Sequence, residues 1–257
     1  MNGKPIFDAV RALLGRGFTP AEVRAIDRAI DRASDAPQGG DSAAVVSGRR
    51  LGALSARFES GGRGAGAVSS GRGDPGGVSY GIYQLSSRAG SVAAFLRGEG
   101  APWQAELGDQ PGSAAFSAAW QAIVAREGEA FAEAQHAHVE RTHYRPAVAR
   151  VAQRTGLDLD SRHLAVRDAA WSVAVQHGGA AGILADAVRA ADAAADRAAP
   201  GYDRTLLNAI YDCRSAYVLA LAARSAMPAR HTLEAVARVR YPAERAEALA
   251  MLEGADA

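Results

Sequence analysis

The chain has 257 residues, a formal net charge of +1 and 48% hydrophobic residues, enough for one large or two modest cores and too little positive charge to bind nucleic acid by bulk electrostatics. Its one cysteine, Cys213, excludes an intramolecular disulfide and a cysteine zinc cluster. Abundant alanine, with few β-branched or aromatic residues, favours helix, and no apolar run is long enough to span a bilayer.

The first elements are two short amphipathic helices. Ile6, Val10, Leu13 and Leu14 share one face, and Gly15 and Gly17 end the first helix. Thr19-Pro20-Ala21-Glu22 opens the second with a cap, a proline at the first helical position and a capping-box glutamate. Val23, Ile26 and Ile30 line its apolar face. We therefore expect an N-terminal helical hairpin over 1–34, a linker over 35–47 with Pro, Gly and Ser composition, and one large domain over 48–257. The first residues carry a single early positive charge and an amphipathic pattern, so no secretory signal is read there. The expectation is synthesis in the cytoplasm, with any action at the cell wall depending on separate delivery.

Leu51, Leu54 and Phe58 then mark a helix that ends at Gly61-Gly62. Glu59 falls in its last turn, where the helix dipole and any burial disfavour the ionised carboxylate. Glu59 is thus either a solvated helix-end glutamate or a group with its pKa raised towards that of a general acid. Residues 61–77 are glycine-rich, and Asp74-Pro75-Gly76-Gly77 is β-turn chemistry. In GVSYGIYQL (77–85), Val78, Tyr80, Ile82 and Gln84 alternate with Ser79, Gly81 and Tyr83, which predicts a short strand or extended segment. A helix is expected from Ser86 or Ser87.

Downstream, one helical turn is expected at Trp103–Leu107 and helices at Ser113–Ala125 and Glu127–Arg141. His136, His138 and His143 on the last of these do not fall at i, i+4 spacing, so they read as solvent-facing or groove-lining rather than as a metal site. Further helices are predicted from Arg145-Pro146, from Ser161 as a cap through Gln176, from Ala180, over Leu206–Ala223, and over Thr232–Leu252 with an interruption at Tyr241-Pro242. Gln176-His177-Gly178-Gly179 is read as an inter-helix turn.

The order of a helix ending in Glu59-Ser60-Gly61, a glycine-rich loop, Tyr80-Gly81-Ile82-Tyr83-Gln84 and a second helix resembles the lysozyme-like superfamily, in particular the lytic transglycosylases and the goose-type and phage lysozymes. The longer string GDPGGVSYGIYQLSS also resembles phage-type cell-wall hydrolases. The resemblance covers only the Leu51–Phe95 stretch. It implies a mostly α fold, a lysozyme-like helical domain with a small β-hairpin or loop. It also implies a glycosidase that cleaves the β-1,4 bond between N-acetylmuramic acid and N-acetylglucosamine in peptidoglycan, with Glu59 as general acid. Asp74 is either the second carboxylate of such an enzyme or a turn residue. Ser60, Ser79, Tyr80, Tyr83 and Gln84 are the implied groove contacts, and Gln176 and His177 are implied partners for sugar acetamido groups.

No metal or cofactor is expected. The expected partners are peptidoglycan glycan strands, with a holin, virion or secretion-system component for delivery, and neither nucleic acid nor stable membrane insertion. Two alternatives stand beside the hydrolase: a lytic transglycosylase giving 1,6-anhydro products, and a non-catalytic helical interaction protein on the same frame.

Overall fold

The computed structural model describes residues 51–54, 64–72, 74–227 and 229–254. The expected hairpin over 1–34, the linker over 35–47, Glu59 and Ser60 lie outside these residues. The described chain is mostly helical with one small antiparallel sheet.

That sheet pairs β1 (Ser79–Tyr80) with β2 (Leu85–Ser86), with Ser79 opposite Ser86 and Tyr80 opposite Leu85. The 77–85 segment is therefore a tight hairpin rather than one extended strand. Gly81 bends it at φ +73°, and Gln84 adopts φ +53°. A Cβ on Gly81 would lie 2.1 Å from Gln135 Oε1, so only glycine fits there. The next helix, α1 (Ser91–Leu96), begins later than expected. Ser86 is instead held in the sheet, where its Oγ donates to Gly76 O at 2.5 Å.

A 3-10 turn (Ala101–Trp103) leads into α2 (Gln104–Leu107), and the chain then enters α3 (Ala114–Val139). Ser113 caps α3 by accepting from Phe116 N at 3.1 Å. The helix kinks at Glu127 (φ −133°, ψ 36°), whose carboxylate accepts from Trp103 Nε1 at 2.9 Å. After α4 (Arg145–Thr155) and a 3-10 turn, α5 (Leu164–Gln176) begins. Its cap is His163, whose Nδ1 accepts from Ala165 N at 3.1 Å, not the expected Ser161. α6 (Ala180–Ala194), α7 (Tyr202–Ala223), α8 (Ala229–Ala235) and α9 (Tyr241–Glu253) complete the chain.

α4 and α9 are each preceded by a widened π turn, at Glu140–Tyr144 and Val236–Arg240. Pro146 and Pro242, each the second residue of its helix, explain both. A proline ring crowds the carbonyl four residues back and has no N–H to offer, and a wider turn relieves both faults. Tyr144 closes the first π turn and Tyr241 follows the second; both are buried.

Two cores result. The hairpin, α1 and the first part of α3 enclose Tyr80, Phe95, Phe116, Trp120 and Phe131, with ring centroids of Trp120 and Phe131 4.6 Å apart. The remaining helices surround α5, which is buried on every side from Ala165 to Ala174 except at Arg167. Such an all-round apolar helix is the centre of a bundle. Each buried large apolar side chain contributes about 1.5–3 kcal/mol. Half-buried Tyr83 packs against both cores. Among the described residues, no helix is long and apolar enough to cross a membrane.

Candidate functional site

The two cores meet at an aromatic seam. The Tyr83 hydroxyl lies 2.8 Å from His136 Nδ1. The His136 ring stacks on Trp171 with centroids 4.4 Å apart and planes inclined by 12°, and Tyr83 approaches the same indole at 6.2 Å. Three elements are thereby tied together: the hairpin turn, the C-terminal half of α3, and the middle of α5.

Buried polar residues hold the backbone around this seam. Gln135, fully buried, accepts from Ile82 N at 3.0 Å and donates to Ala65 O at 3.2 Å. Asp168, also fully buried, accepts from Gly52 N at 2.5 Å and Leu54 N at 3.0 Å. Gln84 donates from its side-chain nitrogen to Gly81 O at 2.9 Å, closing the hairpin turn beside Tyr83.

A second polar centre lies at the C-terminal end of α5. Arg214 and Glu244, both fully buried, pair at 3.0 Å. Arg214 also donates to Ser172 Oγ at 2.8 Å and to Gln176 Oε1, and its guanidinium lies 4.2 Å from the Tyr241 ring centroid. Burial is the largest influence on Glu244 and raises its pKa, but Arg214, Ser172 and Arg240 together outweigh it and hold the carboxyl below its ordinary range. Burial, aided by Arg214, pushes His177 down to about 4, so its ring is neutral at physiological pH. His138 and His143 are shifted down as well, chiefly by burial.

The sequence-derived site residues separate into groups. Tyr83 and Gln84 lie together at the seam. Gln176 and His177 lie at the second centre. Tyr80 is corrected from groove contact to core: it is fully buried, and its hydroxyl bonds Ser117 Oγ at 2.8 Å and accepts from Gly112 N at 3.0 Å. Half-buried Ser79 is occupied by the sheet, its N–H donating to Ser69 Oγ at 2.8 Å. The exposed Asp74 closes its own turn by accepting from Gly76 N at 2.7 Å. His136 and His138 are buried rather than solvent-facing. Among the described residues, no cluster of His, Cys, Asp or Glu could hold a metal ion.

Sequence reasoning missed Gln135, Asp168, Arg214 and Glu244. The available signal was a polar or charged residue inside an otherwise apolar helix, as with Asp168 in LAVRDAAWSVAVQ. A charge so placed is either paired or costly.

Comparison with known proteins gives a different family from the one the Glu59 segment resembles. The family model described as type VI secretion system spike protein VgrG3-like, C-terminal, matches residues 51–239. The type VI secretion system spike protein VgrG3 of Vibrio cholerae serotype O1 is 37% identical over 138 residues. That match takes in 54% of this chain and 13% of the relative, so the chain corresponds to a small part of the relative's length. These findings correct the expected lysozyme-like membership and, with it, the expected muramidase. That expectation rested on one segment, in which the structure places Tyr80 in the core.

Proposed function

The chain belongs to the type VI secretion system VgrG3-like C-terminal family, and on that premise we propose that it is a spike-associated helical domain that engages peptidoglycan glycan strands without cleaving them. The observation that carries this reading is Tyr83, a partly exposed aromatic ring fixed at the seam between two cores, with Gln84 beside it. An aromatic face flanked by a few polar groups suits a ligand that is apolar on one side and rich in amides and hydroxyls on the other. The secretion-system partner replaces the holin or virion as the means of delivery. In this reading the chain is made in the cytoplasm and works in the periplasm or at the wall.

The test is co-sedimentation of the full chain with purified sacculi. Retention without soluble fragments, weakened at least tenfold by Tyr83→Ala, supports the proposal. Failure to sediment sinks it.

One observation favours a second reading. The Asp74 side chain is engaged in its own turn, which favours cleavage by one acid with the substrate's own group as the internal nucleophile, as in a lytic transglycosylase. Glu59 is the acid in that reading. Mass spectrometry showing 1,6-anhydro ends with wild type and none with Glu59→Gln would establish it over simple binding.

A further inference from the structure

The turn after α5 offers donors that the interior forces outwards. Arg214 is fully buried beneath it. Its Nη2 donates to Gln176 Oε1, and the Tyr241 hydroxyl donates to the same oxygen at 2.9 Å. A guanidinium carries only donors, so the Gln176 oxygen faces inwards and its NH2 group faces away from Arg214. The same logic fixes His177. Arg214 Nε donates to His177 Nε2 at 3.5 Å, and a guanidinium N–H only donates, so in this bond Nε2 carries the lone pair and the ring proton sits on Nδ1. The Tyr241 hydroxyl, 3.0 Å from the same nitrogen, has one proton and serves Gln176 Oε1 or His177 Nε2, not both at once.

Among the described residues, neither Gln176 Nε2 nor His177 Nδ1 has a hydrogen-bond partner, and neither is sealed from solvent. The approach to them is open. A Cβ on the adjacent Gly178 would meet nothing within 4 Å. Tyr217, 39% exposed, forms a rim with its ring edge-on to His177 at 5.4 Å.

We propose that Gln176 and His177 form a donor-only binding site for a carboxylate, with Arg214 as the positioning residue that turns both donors outwards. Two outward N–H groups above a buried guanidinium suit an anionic oxygen pair better than a neutral amide, which needs an acceptor as well. The low pKa of His177 keeps its ring neutral across the physiological range, so Nε2 stays free to accept from Arg214. The identity of the ligand rests on the glycan-strand reading. There the carboxylate is carried either by the lactyl group of a muramyl residue or by the stem peptide.

The experiment is titration of the full 15N-labelled chain, following the His177 ring nitrogens and the Gln176 side-chain amide. N-acetylmuramic acid presents the lactyl carboxylate, muramyl dipeptide the peptide carboxylate, and chitotetraose neither. Shifts with one or both of the first two and none with chitotetraose support the site and identify the source. Gln176→Glu keeps the inward oxygen for Arg214 and places a negative charge at the mouth. It should weaken binding of the shifting carboxylate at least tenfold. Equal shifts with chitotetraose, no shift with any of the three, or unchanged affinity in Gln176→Glu overturn the site. If sacculi still retain the wild-type chain in that case, the glycan-binding reading survives alone. Carboxylate shifts without retention on sacculi leave the site standing and remove the glycan reading.

Discussion

Arg214 on α7 and Glu244 on α9 meet at 3.0 Å with both side chains fully buried. Neither charge has water to turn to: Arg214 depends on Glu244, Ser172 and Gln176, and Glu244 on Arg214, Tyr211 and Arg240, the last at 3.2 Å. Removing one partner of such a pair strands the other charge and costs about 3–5 kcal/mol, a large share of the ~5–15 kcal/mol that holds a typical domain together. Glu244→Gln should therefore lower the urea midpoint sharply. The double variant Arg214→Met, Glu244→Leu should lose less than either single change. A double variant worse than both singles would contradict this account.

Gly81→Ala tests the hairpin. The substitution forces φ +73° on an L-residue and drives its Cβ into Gln135 Oε1. Gln135 would then release Ile82 N or Ala65 O. Backbone strain and an unsatisfied buried group each cost about 1–3 kcal/mol. Together they should lower stability by about 2–6 kcal/mol in thermal unfolding, and adding Gln135→Ala should recover part of it by clearing the clash.

Asp168→Asn leaves the shape of α5 unchanged but replaces one of the two oxygens that accept from Gly52 N and Leu54 N with an NH2 group, which cannot accept. A charge-assisted bond to a buried carboxylate contributes about 1.5–3 kcal/mol. The expected result is a fall in stability of that order, together with faster amide exchange at Gly52 and Leu54. Unchanged exchange at both amides would show that the carboxylate does not anchor this segment.

Acid should destabilise the fold in two stages. His177 has a folded pKa of about 4 against 6.5 for a free histidine, chiefly because it is buried. The unfolded chain therefore binds the extra proton first. This contribution is complete above pH 6.5 and is lost as pH falls towards 4. Glu99 is held at about 2, chiefly by hydrogen bonds from Arg141, against an ordinary 4.5. Its contribution is complete above pH 4.5 and is lost between 4.5 and 2. Urea midpoints measured from pH 8 down to 3 should be flat to 6.5 and then decline. In Arg141→Ala the decline below 4.5 should be shallower.

Tyr83 separates the contribution of the seam to binding from its contribution to stability. Tyr83→Phe loses the 2.8 Å bond to His136 but keeps the ring. It should retain most sacculus binding, whereas Tyr83→Ala should weaken it at least tenfold in a chain that still unfolds cooperatively. Equal binding by wild type and Tyr83→Ala would remove Tyr83 from the ligand surface.

The sequence by itself determined the helical class, most helix positions and several of their ends. Apolar periodicity and the Tyr241-Pro242 interruption act within one or two turns of chain, so nothing distant was needed to read them. Only the tertiary structure decided what each polar side chain does. Tyr80 and Tyr83 lie three residues apart in one motif, yet one is sealed in a core and the other lies at the junction of two. His136 and His138 were legible as helical but not as buried, because the groups covering them come from α5, the hairpin and Glu99. Arg214 takes its partners from residues 30 to 42 positions away. Local propensity carries no record of such pairings; the packing of α5, α7 and α9 creates them.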